Sequence, residues 1–273
     1  MFGIRVGPMG NSLQVTHLFF ANDTLVLCDA DLRQILFLRL VLFWFEVIFG
    51  LKINMGKSKL VPMGVVQNIV DMVDVLGCRQ GSFPLKYLGL PLGGNVRDSS
   101  IWNPIIEKME RRLAGWKRLY LSKGGKVTLI KSTLLNLPTY FLSLFPISVE
   151  VANHIEQLQK KFLYSGMGDV KKTHLVKWAI VCALHSGGLS IRSLRSFNKS
   201  LFGKLLWRFG NERQALWTRV IGAKYGCERG GWCSLLVTGS HGVSLWKSIS
   251  HGWPSFVRHN QFEVGARFTL RFW

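Results

Sequence analysis

The sequence predicts an α+β fold, with short antiparallel strands in the first hundred residues and helices after them. Three observations carry that expectation. The apolar runs Val15-Thr16-His17-Leu18-Phe19-Phe20 and Leu25-Val26-Leu27 flank a tight polar turn holding Asn22 and Asp23, which is the signature of a hairpin. A second apolar run from Phe83 to Gly93 is broken by Gly and Pro in the manner of another hairpin. From Ser100 onward the apolar residues recur at helical spacing, beginning with Ile101, Ile105, Met109, Leu113 and Trp116. With 273 residues the chain can bury a sizeable core and hold about two domains. A hydrophobic share of 48% excludes a disordered chain.

The elements follow in order. After the first hairpin, Asp31 opens a helix, with Gln34 three residues later completing a capping box, and Asp29 can share that work. Both aspartates therefore read as helix caps rather than ligands. The helix over Ile35–Phe49 is nearly apolar enough for a membrane span, but it carries Arg39 and Glu46 and falls short of the ~20 residues a span needs. Those two charges are seven apart and share one face, so the segment reads as a buried amphipathic helix packed on a sheet. Gly50 ends it. A strand-like piece, Leu51-Lys52-Ile53-Asn54, and then a helix near Val66–Leu76 precede the second hairpin. Ser122 caps a helix that turns Ile130, Leu134 and Leu137 inward, and Pro138 breaks it. Ser148 caps another, with Val151, Ile155, Leu158 and Phe162 on one side. A loop around Gly166 and Gly168 follows. Phe197, Leu201, Leu205 and Phe209 then mark a further helix, flanked by Arg195, Lys199, Lys204 and Arg208.

Charge is unevenly placed. Residues 1–100 hold 9 Lys+Arg against 7 Asp+Glu, whereas residues 101–273 hold 26 against 8. A basic excess confined to one part of a chain points to a polyanion, most often nucleic acid, although a basic surface that merely aids solubility has the same composition. Nine of the ten tryptophans lie in that same part. Interleaved with Lys and Arg they can stack on bases, but at helical spacing they more commonly fill a core. The five cysteines are odd in number and scattered, and Met1-Phe2-Gly3 opens no signal peptide. An intracellular, reducing compartment, nuclear or cytoplasmic, is expected rather than secretion. Cys227 and Cys233 with His241 and His251 match no standard zinc spacing.

Taken in sequence order, these pieces resemble the plant LINE-type (non-LTR retrotransposon) reverse transcriptases. Phe20-Ala21-Asn22-Asp23 sits where that family has its F-A-D-D turn, polymerase motif C. Gly50-Leu51-Lys52-Ile53-Asn54 with Lys57-Ser58 resembles motif D. Lys86-Tyr87-Leu88-Gly89-Leu90-Pro91-Leu92-Gly93 resembles motif E, the primer grip. Leu113-Ala114-Gly115-Trp116-Lys117 and Leu121-Ser122-Lys123-Gly124-Gly125-Lys126, running on through Leu137-Pro138-Thr139-Tyr140, resemble the thumb. Gly187-Gly188-Leu189 with Ile191-Arg192, and the closing Arg271-Phe272-Trp273, are similar to the family's C-terminal region. Each motif alone is weak; the ordered set is specific and spans nearly the whole chain.

The resemblance implies a partial palm over residues 1–95, a helical thumb-like region over 96–165, and a basic region over 166–273 leading toward a zinc-binding type of segment. It implies RNA-templated DNA synthesis from dNTPs with two divalent ions, usually Mg²⁺. Asp23 would be a metal-site carboxylate, and Tyr87, Leu88 and Gly89 would place the primer terminus. Lys57 matches a lysine that donates a proton to the leaving pyrophosphate, and it equally fits a solvated turn lysine. Arg111, Arg112, Lys117, Arg118, Lys123, Lys126 and Lys131, with Arg195, Lys199, Lys204 and Arg208, would meet the phosphates of RNA or DNA. No membrane partner is expected.

The pattern is broken in three places. Asn22 stands where the family has its leading aspartate, and an amide oxygen brings no charge to offset Mg²⁺. The hairpin lies about twenty residues from Met1, which leaves out the fingers and the motif A aspartate, and the chain ends at Trp273 before a Cys/His module. Ala266-Arg267 also departs from the Asp-Gly that precedes R-F-W. Losing ligand charge forfeits several kcal/mol of transition-state stabilisation, so an inactive polymerase relative is expected. The alternatives are a non-catalytic nucleic-acid-binding module and a decayed open reading frame that exposes apolar surface.

Overall fold

The computed structural model describes residues 3–8, 12–116, 121–164, 178–183, 188–228, 230–237 and 245–259. Its strands are β1 (Ile4–Val6), β2 (Leu13–Val15), β3 (His17–Phe20), β4 (Asp23–Val26), β5 (Lys59–Leu60), β6 (Arg79–Gln80), β7 (Leu85–Tyr87) and β8 (Leu90–Leu92). Its helices are α1 (Leu32–Phe49), α2 (Ile69–Leu76), α3 (Asn103–Trp116), α4 (Lys123–Leu129), α5 (Thr139–Leu142), α6 (Val149–Tyr164), α7 (Trp178–Cys182), α8 (Leu194–Asn211), α9 (Leu216–Tyr225), α10 (Leu245–Ser250) and α11 (Trp253–Arg258). The fold is α+β. Two compact units divide it: Met1–Gly94 with Gln214–Gly226, and Asn95–Arg213 with Cys227–Trp273.

Among the described residues of the first unit the strands pair two by two. β1 and β2 are antiparallel, and α9 packs against both. β3 and β4 form the first hairpin, and β7 and β8 the second. β5 and β6 pair in parallel. Asp31 is the N-cap of α1, its side chain accepting from the Arg33 backbone N–H at 3.0 Å. The reciprocal half of the expected capping box goes elsewhere: Gln34 accepts from the Asp29 backbone N–H at 3.3 Å and donates to Asp29 Oδ2 at 3.1 Å. The two aspartates thus divide the capping between them.

Helix α1 corrects the sequence reading. It packs on α2 rather than on a sheet, burying Ile35 with Met72 and Leu76, and Leu38 and Leu42 alongside. Two of its charges, Arg39 and Glu46, lie on the packed side. Arg39 donates to the Val75 carbonyl, and the Glu46 carboxylate accepts from the Ile53 N–H at 2.7 Å. The remaining positions leave Phe37, Leu40, Val41, Phe43, Trp44, Val47 and Ile48 exposed. A helix that is apolar nearly all round has no polar stripe to turn outward, so Arg39 and Glu46 are placed by hydrogen bonds instead. No described helix is long and apolar enough to cross a membrane. A second correction concerns Leu51–Asn54, which forms no strand; the strand there is β5, after the turn Asn54–Ser58.

The second unit is built on buried helical stripes. α3 buries Ile105, Met109 and Leu113, and α6 buries Val151, Ile155 and Phe162. Ser122 caps α4 by accepting from Gly125 N–H at 3.1 Å, and Ser148 accepts from Val151 N–H at 3.2 Å. A π-helical turn over Ile130–Leu134 follows α4 and aims Ile130 and Leu134 inward. α8 packs against α5, α6, α10 and α11. Its buried residues are Leu194, Asn198, Leu206, Phe209 and Gly210, a face rotated from the one the apolar spacing suggests. Phe197, Leu201 and Leu205 are only half-buried. Asn198 is the pivot: its Nδ2 donates to the Leu142 and Phe145 carbonyls at 2.6 and 3.0 Å, and its Oδ1 accepts from Ile147 N–H at 3.2 Å.

Candidate functional site

The first hairpin closes through Ala21 and Asn22, with Phe20 paired to Asp23. The sequence reading placed Asn22 and Asp23 together in the turn. The structure makes Asp23 the first residue of β4 instead. Ala21 takes a left-handed φ of 49° and Asn22 does not, the pattern of a type II′ turn. Asp23 is exposed, as are all four residues of β3, with Phe19 70% and Phe20 60% exposed.

A two-ion site needs several carboxylates that share the ions. Here the tip offers one carboxylate and one amide. Among the described residues no group of three or more His, Cys, Asp or Glu is placed to hold an ion. Asp29 and Asp31 are occupied in capping. The described residues do not fit a divalent-ion pair. Nor do the described residues group for zinc at the C-terminal side: Cys227 pairs with Ser234 in an isolated β-bridge next to Cys233, and His241 lies outside the described residues. All five cysteines are free thiols. Burial pushes the Cys182 thiol up to about 11, with the nearby Glu156 carboxylate adding to the effect.

Lys57 lies in the turn after α1. Its backbone N–H donates to Asn54 Oδ1 at 3.0 Å, and Ser58 Oγ donates to the Asn54 carbonyl at 3.0 Å. Its ammonium end is exposed. The second hairpin closes through Leu88 and Gly89, both left-handed with φ of 50° and 83°. This is the type I′ pattern, which glycine meets without strain and leucine does not. Tyr87 ends β7, half-buried and paired with Leu90.

The basic side chains of the second unit are mostly in solvent. Arg111 and Arg112 on α3, Lys123 at the start of α4, Lys131 in the π-helical turn, and Arg195, Lys199 and Lys204 on α8 are exposed. Two others have local partners. Arg208 forms a bidentate pair with Glu212, at 2.7 and 2.9 Å, and Lys126 lies 5.7 Å from the centre of the Phe162 ring. Arg195 is close enough to Glu156 to pull its carboxyl down, although burial, the larger effect, raises it overall. Lys117, Arg118, Gly166, Gly168, Gly187, Ala266-Arg267 and the closing Arg271-Phe272-Trp273 lie outside the described residues.

No protein-family model matches the chain. It is 33% identical over 171 residues to an Arabidopsis thaliana protein named as a ribonuclease H protein, a match covering 62% of this chain and 28% of that one. It is 28% identical over 140 residues to an uncharacterized mitochondrial protein of the same plant, covering 50% of this chain and 89% of that one. The chain therefore matches under a third of the length of the first relative. Both relatives are plant proteins, and only the first carries an activity in its name.

One grouping escaped the sequence reading. Trp207 on α8 and Trp232 stand at a cleft with Trp253 and Phe256 of α11. Trp207 neighbours Lys204 and Arg208 in sequence, but the rings that join it come from 25 or more residues away.

Proposed function

We propose that this chain derives from a non-LTR retrotransposon reverse transcriptase, no longer adds nucleotides, and binds RNA or DNA through the basic side chains of its second unit. Support for the origin is the ordered run of motif C, D, E and thumb-like segments, together with a plant relative named for ribonuclease H. The observation that carries the loss of activity is the isolation of Asp23. It stands exposed at a hairpin tip beside an amide, with no ion-holding cluster among the described residues. Two ions cannot be neutralised by one carboxylate, so no in-line displacement is supported.

Binding has a different basis. Arg111, Arg112, Lys123, Lys131, Lys199 and Lys204 keep their charges in solvent, where they can replace the counterions of a phosphate backbone. This contact carries no sequence information by itself. A primer-extension assay of the purified chain with Mg²⁺ or Mn²⁺ tests the catalytic half. Incorporation is expected to equal that of a D23A control, and N22D is expected to bring no gain. Template-dependent incorporation above the D23A level contradicts the proposal.

A further inference from the structure

The cleft on α8 combines apolar rings with surrounding cations in one place. Gly203, Trp207 and Gly210 lie at i, i+4 and i+7 and share one helix face. The two glycines admit rings from elsewhere in the unit. A Cβ on Gly210 would meet the Trp232 ring at 3.0 Å, and one on Gly203 would meet the Phe256 ring at 3.7 Å. Between them Trp207 projects from the helix, 54% exposed. Leu206, Trp253, Phe256 and Val257 complete a shallow, open cleft of about 30 Å³, so a flat ring would lie on its rim rather than inside it.

The cleft is lined mainly by apolar side chains. Trp232 is 43% exposed and held in place, with the Arg213 guanidinium 5.0 Å from its ring centre. Arg213 is itself fixed by donating to the Gly230 carbonyl at 2.9 Å. The indole N–H of Trp253 donates to the buried Ser234 Oγ at 3.3 Å, where Trp246 also donates at 2.9 Å. No hydrogen-bonding edge of Trp253 is left for a ligand. A flat ring can stack on such a surface without being read by its polar groups.

The residues beside the cleft are basic. Lys204 lies one turn before Trp207, Arg213 sits on Trp232, and Arg258 follows Val257. The nearby Glu212 is occupied by Arg208. An aliphatic lipid tail or a neutral apolar side chain gains nothing from these cations, whereas a nucleotide has a flat apolar base and an anion one bond series away.

We infer that the Trp207–Trp232 cleft is a stacking site for an unpaired base of single-stranded nucleic acid, whose flanking phosphates meet Lys204 and Arg258. The inference rests on the nucleic-acid-binding reading above and adds where a base is held. Stacking is indifferent to base identity, so the site gives affinity for single strands without sequence preference.

The experiment compares the full chain with W207A and W207F by fluorescence anisotropy, using labelled oligothymidylate and an abasic oligomer of equal length at one salt concentration. Trp207 is largely exposed, so W207A is expected to keep the wild-type melting temperature. It should weaken oligothymidylate binding about tenfold and leave abasic binding unchanged, with W207F recovering most of the loss. Equal binding of both oligomers by wild type and W207A overturns the stacking site while leaving phosphate binding intact. If the wild-type chain binds neither oligomer, the nucleic-acid reading falls, and this inference with it.

Discussion

The two units of this chain solve the same problem with opposite success. Among the described residues, four buried hydrophobics belong to the first unit (Val15, Ile35, Met72 and Leu76), and twenty-four to the second. The first unit is not short of apolar residues. It leaves them in solvent along α1, with Ile48 67% exposed, and along β3. Its strands pair only as two-stranded ribbons, which are marginal by themselves. The second unit closes its core with helices whose apolar stripes face one another. The difference teaches that the part of the chain richest in catalytic resemblance is the part least able to hold a rigid site. Preorganised geometry is what a metal-dependent centre requires, and β3–β4 has little packed beneath it.

The largest expected effect follows from that contrast. Phe162 is 1% exposed beneath α3 and α4, and Phe162→Ala should cost about 3–5 kcal/mol in denaturant unfolding of the second unit. Phe43→Ala on the open face of α1 should change denaturant unfolding of the first unit by less than about 0.5 kcal/mol. Equal losses for the two would break the comparison, because they would mean that α1 is covered in solution. Next comes Asn198. Asn198→Ala removes three hydrogen bonds and strands the buried carbonyls they satisfy, so a loss of about 3 kcal/mol is expected by thermal or chemical denaturation. A smaller effect than that of Asn198 has the opposite sign. Gln159 is buried with neither side-chain nitrogen nor oxygen hydrogen-bonded, so Gln159→Leu should stabilise the second unit by about 1 kcal/mol, read as a rise in melting temperature.

Much of the second unit was legible in the sequence because its signals are local. Ser122 and Ser148 cap helices as their positions suggest, and Ile105, Met109 and Leu113 recur at the spacing of the face they bury. Both hairpins are legible for the same reason, since each is closed by a two-residue turn between apolar runs. What was not legible depends on distant partners. The sequence shows that Arg39 and Glu46 share a face of α1, but not that Val75 and Ile53 would draw that face inward. Nor does the apolar spacing of α8 reveal that Asn198 and Gly210 are buried, because the groups that bury them lie in other segments. The three-residue strands β1 and β2 are too short to show alternation. The candidate site divides along the same line. The lone carboxylate at the hairpin tip follows from Asn22 beside Asp23, whereas the aromatic cleft exists only once Trp232 and Phe256 have been folded onto α8.

The central claim is that the second unit carries the binding and the first does not. The salt dependence of affinity for a single-stranded oligonucleotide tests it most directly, measured for the full chain and for two charge-neutralised variants. One variant replaces Arg111, Lys131 and Lys199 by glutamine, and the other replaces Arg5, Lys52 and Lys86. For the wild-type chain the logarithm of affinity should fall linearly with the logarithm of salt concentration. The second-unit variant should lower that slope by about 0.7 per phosphate contact removed, and the first-unit variant should leave it unchanged. A slope near zero for the wild-type chain, or an equal drop in both variants, would contradict the account.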